Sequence, residues 1–247
     1  MTGEPGPAAA GVPEIIRAGT RLRPVPLVPE IRLWQASEPI DLWQRTEDAA
    51  GQAAGGPVQA AGSPGRAAGG PGPAGLDPPF WAFAWAGGQA LARYLLDHPQ
   101  TVRGRRVIDM ASGSGLVAIA AARAGAAAVT GYDIDPLAAA AIAVNAAANG
   151  VTVTAVCADV LDGDGIPAPG ADVVLVADAF YQRDLAARVL RFLDRVHAAG
   201  AGVLAGDFGR TYLPRARLVP VASYDVPGLR AVEDTDVKRT TVWTLAG

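Results

Sequence analysis

The sequence predicts an α/β fold: a doubly wound, Rossmann-like seven-strand sheet with an antiparallel edge strand and a small N-terminal extension. From residue 76 onward, short runs rich in Val, Ile and Ala alternate with longer runs of helical periodicity, which is typical of a parallel sheet covered by helices. Near the end, two extended runs follow each other without a comparable helix between them, which indicates an antiparallel strand. Glycines between the first strand and the first helix predict a ligand at the carboxyl ends of the strands.

The predicted strands and helices alternate in chain order. Strands are predicted at Arg105–Met110, Ala127–Tyr132, Val151–Cys157, Ala171–Ala177, Gly202–Gly206, Leu218–Asp225 and Lys238–Leu245. Helices are predicted at Gly115–Ala124, Pro136–Ala148 and Asp184–Ala198. Proline at the start of the second helix and Gly150 just beyond its end are the residues that commonly begin and end a helix.

The chain before the sheet divides into three zones. Residues 1–12 are expected to be a disordered N-terminus. Residues 13–48 predict a lid or substrate-side element, made of a short helix at Pro13–Ala18, an extended stretch and a helical turn from Pro39 to Asp48. Residues 49–75 hold 22 Ala, Gly or Pro in 27 positions and predict a flexible linker, because they bury too little apolar area to offset their ordering entropy. The main domain then occupies residues 76–247.

The composition excludes several classes of protein. The formal net charge of −3 and the absence of a basic run argue against a nucleic-acid partner bound by bulk electrostatics. One cysteine, Cys157, and two distant histidines predict neither a disulfide framework nor a metal site. Without a signal peptide or an apolar run of membrane-spanning length, we expect a cytoplasmic protein with no membrane partner, and a monomer.

The most informative stretch is VIDMASGSGLVAIAAA, residues 107–122, in which a strand meets a helix. Asp109 ends the strand, and Gly113 and Gly115 form a turn where a backbone approaches a ligand closely. Asp133 ends the next strand and Asp159 follows the third. Because parallel strands end at one edge of the sheet, we expect these three carboxylates along one rim, with Asp133 accepting ribose hydroxyls and Asp159 an adenine amino group.

Two cofactor classes compete for this site. The spacing of Gly113, Gly115 and Ala118 formally matches the dinucleotide pattern GxGxxG/A. However, a carboxylate at the mouth of the glycine loop repels a pyrophosphate, whereas Asp109 suits a ligand that carries an amino-acid ammonium group. S-adenosyl-L-methionine has that ammonium, a sulfonium and no phosphate. The sequence therefore favours a methyl donor over a nicotinamide cofactor.

The same residues resemble motif I and the following motifs of the seven-strand class I methyltransferases. A wider set of segments resembles the electron transfer flavoprotein β-subunit lysine methyltransferase family. These segments are PVPLVPEIRLW (24–34), LWQRTED (42–48), PPFWAFAWAGGQALARYLLD (78–97), YDIDP (132–136), DAFY (178–181), GDFGR (206–210) and TTVW (240–243). The resemblance implies a Rossmann-like methyltransferase that uses S-adenosyl-L-methionine and methylates lysine side chains of that flavoprotein subunit or a related protein.

The resemblance also implies the site residues. Those expected to bind the cofactor are Trp81, Asp109, Gly113, Gly115, Asp133, Ile134 and Asp159. Asp178 and Tyr181 match a D-x-x-Y pattern that lies at the site of methyl transfer in related lysine methyltransferases. Two positions depart from the family pattern. Ala111 replaces the first glycine of motif I, which is tolerable if its backbone needs no positive φ, and Phe208 stands where many relatives have Pro.

The residues leave several alternatives open. Asp178 fits either an active-site role or a cap on the helix that follows it, Phe180 and Tyr181 fit either the site or the core, and Trp85 fits a packing role. Asp207 and Arg210 suit either a structural or a substrate-facing ion pair. Two alternative acceptors are ribosomal protein L11 and a small amine such as a nicotinamide-like heterocycle, and a non-catalytic donor-binding module is a third function class.

Overall fold

The computed structural model describes residues 12–36, 79–161, 170–227 and 237–246. In these residues the helices are α1 (Val12–Gly19), α2 (Ala86–Asp97), α3 (Leu116–Arg123), α4 (Pro136–Ala148) and α5 (Arg183–Ala198). The strands are β1 (Arg21–Val25), β2 (Val28–Gln35), β3 (Arg106–Met110), β4 (Ala128–Asp133), β5 (Thr154–Cys157), β6 (Val173–Ala177), β7 (Gly202–Asp207), β8 (Leu218–Pro227) and β9 (Val237–Leu245). The helical turn predicted at Pro39–Asp48 and the linker predicted at 49–75 lie outside the described residues.

The large sheet has seven strands in the order β5-β4-β3-β6-β7-β9-β8. The first five in this order are parallel, and β9 runs antiparallel to both β7 and β8. This confirms the predicted doubly wound α/β fold with its antiparallel strand at one end of the sheet. The order reverses next to β3, since β4 lies on one side of it and β6 on the other. Ligands of such sheets bind at this reversal, beyond the carboxyl ends of the strands.

Side-chain alternation along the strands fills the two faces of the sheet. On one face, Val107 of β3 and Leu175 of β6 pack with α2 and α3 in one apolar cluster. On the other face, Ile108 and Val174 pack with α5 in a second cluster. Most strand bounds lie within two residues of the prediction, but β5 begins three residues later than predicted.

The N-terminal residues form α1 and an antiparallel hairpin of β1 and β2. The helix α1 confirms the short helix predicted at Pro13–Ala18, whereas the sequence predicted an extended stretch and no hairpin for the residues that follow. Alternation in β2 buries Ile31 and Leu33, which join the apolar cluster of α2 and α3. The hairpin turn is held by a hydrogen bond from the Leu27 amide to the buried side chain of Gln89 on α2, at 3.1 Å. The role of residues 13–48 as a lid or substrate-side element stays a prediction.

Two classes of feature are missing from the described part of the chain. None of its helices is long and apolar enough to cross a membrane. Nor does it contain a cluster of three or more His, Cys, Asp or Glu side chains arranged to hold a metal ion.

Candidate functional site

A cavity of about 350 Å³ opens at the carboxyl ends of β3, β4 and β6. Of the nine residues that the sequence assigns to the site, eight line this cavity: Trp81, Asp109, Gly113, Asp133, Ile134, Asp159, Asp178 and Tyr181. The ninth, Gly115, lies behind the lining at the start of α3. The structure therefore brings the residues named from the three strand ends and from the D-x-x-Y pattern to one cavity.

Asp109 is the buried carboxylate of the site, with 1% of its surface exposed. Its Oδ2 atom accepts hydrogen bonds from the Ser112 hydroxyl at 2.5 Å and from the Ala118 amide at 3.0 Å. Burial raises the pKa of Asp109 to about 7, against these two hydrogen bonds, which act to lower it. No described residue donates a hydrogen bond to Oδ1, so this oxygen remains for a ligand.

The glycine loop takes a conformation that requires glycine at two positions. Gly113 and Gly115 have φ of 53° and 80°, in the left-handed region that side chains disfavour. At Gly115 a Cβ atom would also lie 3.2 Å from the Cα of Ile142 on α4. Ala111 has φ of 51° as well, so the condition for tolerating an alanine there, a backbone without positive φ, is not met. The alanine keeps the left-handed turn of the motif at a cost in backbone strain.

Asp133 joins the end of β4 to the glycine loop. Its Oδ2 accepts a hydrogen bond from the Gly113 amide at 2.8 Å, and its Oδ1 accepts one from the Asp135 amide at 3.1 Å. Burial raises the pKa of this carboxyl above its ordinary value, although backbone amides act in the other direction. Next to it, Ile134 exposes 63% of its surface at the cavity, where an apolar side chain suits the flat face of a purine.

Asp159 lies at the rim and has a partner that the sequence analysis missed. Its Oδ2 accepts a hydrogen bond from Arg188 of α5 at 2.7 Å, and its Oδ1 accepts one from the Leu161 amide at 2.9 Å. Burial acts to raise the pKa of Asp159, but these two hydrogen bonds hold it below its ordinary value. Nothing in the sequence pairs Arg188 with Asp159, because the two come together only when α5 packs on the sheet.

Asp178 ends β6 and faces the cavity with a strained backbone. Its φ of 57° is left-handed, which is uncommon for residues other than glycine and is often found at functional sites. Its Oδ2 accepts a hydrogen bond from the Gly88 amide in the first turn of α2, at 2.8 Å. Trp85, at the N-cap position of α2, makes no capping hydrogen bond of its own. Asp178 therefore caps α2 from a distant strand, not the helix that follows it.

Arg210 completes this part of the site. Its Nη1 atom donates to Asp178 Oδ1 at 2.5 Å and to Asp207 Oδ2 at 3.1 Å. Asp207 is fully buried and also accepts the amides of Gly209 and Arg210, which fixes the loop after β7. Burial raises the pKa of Asp207 above its ordinary value, against the nearby guanidinium. Arg210 thus pairs with two carboxylates: Asp207, which holds the loop after β7, and Asp178, which lines the cavity.

A group of aromatic side chains forms one wall of the cavity. The Phe80 ring lies 5.8 Å from that of Tyr181 and 6.0 Å from that of Trp85, measured between centroids. Trp81 is buried under this wall, whereas Tyr181 exposes 42% of its surface. Trp85 lines the cavity, so its role extends beyond the packing expected from sequence. Phe180, in contrast, is a fully buried core residue.

The position of Cys157 inside a predicted strand predicts a buried side chain, and the structure contradicts this. The residue is exposed on β5, which is an edge strand of the large sheet. It does not line the cavity.

The lining fits S-adenosyl-L-methionine better than a dinucleotide. Near the glycine loop the ionisable groups of the lining are the carboxyls of Asp109, Asp133 and Asp135, and the lining arginines belong to α5 and to the loop after β7. A pyrophosphate would face Asp109 without a cation beside it. An ammonium group placed there would instead face the Asp109 carboxyl, whose Oδ1 accepts no hydrogen bond from a described residue.

Comparisons with known proteins agree with this chemistry. The family sequence model described as "Ribosomal protein L11 methyltransferase (PrmA)" matches residues 90–197. The electron transfer flavoprotein beta subunit lysine methyltransferase of Xenopus laevis is 35% identical over 224 residues, which cover 89% of this chain and 80% of that protein. The protein of the same name from Mus musculus is 37% identical over 171 residues, covering 67% of this chain.

The coverage of these relatives differs. The match spans 66% of the mouse protein's length, slightly less than two thirds. The ribosomal protein L11 methyltransferase of Bacillus pumilus (strain SAFR-032) is more distant, at 30% identity over 152 residues that cover 59% of this chain and 44% of that protein. The length and identity of the Xenopus match place the chain in one family: it belongs to the electron transfer flavoprotein β-subunit lysine methyltransferases.

Proposed function

We propose that this chain methylates the ε-amino group of a lysine on the β subunit of electron transfer flavoprotein, or on a related protein, with S-adenosyl-L-methionine as the methyl donor. The observation that carries the proposal is the Asp178 carboxylate, which lies at the donor cavity and is oriented by the Gly88 amide and by Arg210. A site that only binds the donor has no need of a strained, oriented carboxylate beyond it. Membership of the family supports the choice of a protein lysine.

On the donor side, the chain's own groups bind and orient. Asp109 would accept the ammonium group through its free oxygen, and Asp133 would accept the ribose hydroxyls at the end of β4. Asp159 would meet the adenine amino group, while Ile134 packs against the purine. When bound, S-adenosyl-L-methionine would supply the methyl group, whose carbon the amine attacks while the sulfonium sulfur leaves as a neutral thioether.

On the acceptor side, the lysine must arrive without its proton. A lysine with a pKa of about 10.4 is neutral in only about one part in 10³ near pH 7, which costs about 4–5 kcal/mol. Each oxygen of Asp178 already accepts one hydrogen bond, and a carboxylate offers about four acceptor positions, so one oxygen can also accept a hydrogen bond from the amine. That bond directs the nitrogen lone pair away from Asp178 and towards the cavity. Catalysis would then come mainly from orientation.

Arg210 and the aromatic wall would support this step. Because Arg210 is also held by Asp207, it keeps Asp178 in place when a cationic side chain enters. The faces of Phe80, Trp85 and Tyr181 attract an ammonium group by cation–π interaction and exclude water once the lysine is seated. The overall net charge of −3 favours a protein acceptor over a nucleic acid.

The direct test incubates the purified chain with recombinant β subunit of electron transfer flavoprotein and tritiated donor, followed by peptide mass spectrometry. We expect label on one or more lysines of the subunit, and a strong loss of label with Asp178→Asn. Ribosomal protein L11 is the second acceptor to include, because the PrmA match and the Bacillus pumilus relative favour it. Label on L11 alone, on small amines alone, or on no acceptor despite tight donor binding would contradict the proposal.

A further inference from the structure

Asn145 is a fully buried polar residue on α4 whose side chain joins two separate parts of the chain. Its Oδ1 accepts a hydrogen bond from the Trp34 amide of β2 at 2.8 Å. Its Nδ2 donates to the carbonyl oxygen of Ser114, in the glycine loop, also at 2.8 Å. A buried side-chain amide whose oxygen and nitrogen both have partners fixes the positions of those partners, because replacing it leaves both without a hydrogen bond.

Asn149, one helical turn later, makes a similar contact with β2 and also donates to the Asn145 carbonyl at 2.8 Å, but it makes no hydrogen bond to the glycine loop in the described residues. Its Oδ1 accepts the Arg32 amide at 3.0 Å, and its Nδ2 donates to the Arg32 carbonyl at 2.6 Å. Together the two asparagines bind the main chain of β2 at alternate residues, on the edge that β1 leaves open, as a third strand would. Both side chains therefore dock the hairpin on α4, but only Asn145 also makes a hydrogen bond to the glycine loop.

The Ser114 carbonyl lies between the two left-handed glycines of the glycine loop, Gly113 and Gly115. The Gly113 amide before it donates to Asp133, and Gly115 after it begins α3 in a left-handed conformation. In a trans peptide the carbonyl and the next N–H point in opposite directions. Fixing the Ser114 oxygen on Asn145 therefore fixes the direction of the Gly115 N–H, which donates to the Ser112 carbonyl at 2.8 Å. Ser112 in turn donates to Asp109.

The hairpin also supports the other side of the cavity. Just after β2, the Ala36 amide donates to the Ala82 carbonyl at 3.0 Å. Ala82 belongs to the short turn that carries Trp81, and Trp34 packs in the same apolar cluster as Trp81. Displacing the hairpin would thus loosen both the glycine loop and the turn of Trp81.

From these contacts we infer that Asn145 is a positioning residue for the donor, and that it couples docking of the N-terminal hairpin to donor binding. When the hairpin is seated, Asn145 is held by Trp34 and sets the glycine loop in its binding conformation. By linkage, bound donor must stabilise the seated hairpin to the same extent. The inference rests on the donor site of the proposed function and is independent of which acceptor is methylated.

The test compares Asn145→Ala with Asn149→Ala, since both remove a contact with β2 and only the first releases the glycine loop. Titration calorimetry with S-adenosyl-L-methionine should show donor affinity at least about tenfold weaker in Asn145→Ala, or about 1.4 kcal/mol. In Asn149→Ala the Asn145–Trp34 bond and the packed Ile31 and Leu33 still seat the hairpin, so donor affinity should stay within about twofold of the wild type. Equal weakening in both variants, or none in Asn145→Ala, would overturn the inference.

A second measurement on the unaltered protein covers the case in which Asn145→Ala does not fold. Hydrogen exchange with and without S-adenosyl-L-homocysteine should show that the ligand slows exchange at the Trp34 amide. An exchange rate at the Trp34 amide that the ligand leaves unchanged would contradict the coupling. Neither measurement contains an acceptor protein, so either result leaves the lysine-methylation proposal to be decided by its own assay.

Discussion

The Asp178 carboxylate and the Gly88 amide, 90 residues apart in sequence, are joined by a hydrogen bond of 2.8 Å at the first turn of α2. The N-terminus of a helix carries partial positive charge, which complements a carboxylate placed there. The PFWAFAWAGGQ segment, residues 79–89, therefore does more than wall the cavity. It brings the first turn of α2 against the end of β6 and holds the Asp178 side chain at the donor site.

Asp178→Asn should lower turnover by at least about tenfold, or about 1.4 kcal/mol of transition-state stabilisation, while leaving donor affinity almost unchanged. Asparagine keeps an oxygen for the Gly88 amide and tolerates a left-handed backbone, but its amide nitrogen replaces the oxygen that accepts from Arg210, so the variant removes the negative charge together with that ion pair. Steady-state kinetics and calorimetry with the donor check this. Asp178→Ala serves as the comparison and should also lose stability, because alanine is strained at φ of 57°. Unchanged turnover in Asp178→Asn would make the residue structural.

Gly87→Ala should destabilise the protein by about 1–3 kcal/mol or more, because the new side chain has no space. Its Cβ would lie 2.2 Å from the Gly206 carbonyl oxygen and 2.6 Å from an oxygen of Asp178. Gly88→Ala is the matched control on the next residue, where the nearest atom to a Cβ is a Leu116 methyl at 3.6 Å. Urea denaturation should find Gly88→Ala as stable as the wild type or more so, since alanine favours a helix over glycine. Similar stability in the two variants would contradict the close approach of α2 and β7.

Periodicity and strand ends predicted the sheet and much of the site. Asp109, Asp133 and Asp159 follow three parallel strands, and parallel strands end at one edge, so their meeting at one cavity needed no long-range information. The role of each in binding the donor stays a prediction. The fold and the methyl-donor chemistry followed from the same pattern together with the family resemblance.

Contacts between segments that are far apart in the chain could not be predicted from the sequence. Nothing local shows that Asp178 caps α2, that Arg188 reaches Asp159, or that Asn145 bridges β2 and the glycine loop. These pairs are set by how helices pack on the sheet, which no local pattern records. Cys157 illustrates the same gap, since its exposure depends on β5 being the outermost strand.

Ala111→Gly should stabilise the protein by about 0.5–1 kcal/mol. The alanine has φ of 51°, and left-handed backbone costs a side-chain-bearing residue about 1–2 kcal/mol, part of which glycine's greater freedom in the unfolded chain cancels. Thermal and urea denaturation measure the difference. Ala127→Gly, at an exposed loop position without a positive φ, is the control and should be destabilising. A loss of stability in both variants would mean that the strain at Ala111 is relieved elsewhere.

Asp109→Asn should abolish donor binding and yet stabilise the free protein at pH 8. The pKa of Asp109 rises from 3.8 to about 7 in the folded chain because the carboxyl is buried. Between these two values the folded state binds more protons than the unfolded state, so unfolding free energy falls as pH increases through that window. Asparagine does not ionise and its side-chain oxygen still accepts from Ser112 and Ala118, so the variant escapes this loss.

Donor affinity and protein stability should change with pH in opposite directions, so measuring both tests the role of Asp109. Donor affinity of the wild type should rise from pH 5.5 and level off about one unit above the Asp109 pKa of about 7, because an ammonium ligand needs the ionised Asp109 carboxylate. Stability over the same range should fall, and the difference in unfolding free energy between wild type and Asp109→Asn should grow with pH. Comparing the two proteins at each pH subtracts most of the contribution of Asp133, whose pKa burial also raises, and leaves the electrostatic interaction between the two carboxyls in the difference. A stability difference that stays constant with pH would show that Asp109 is already ionised in the folded protein, and a donor affinity that Asp109→Asn leaves intact would remove it from the site.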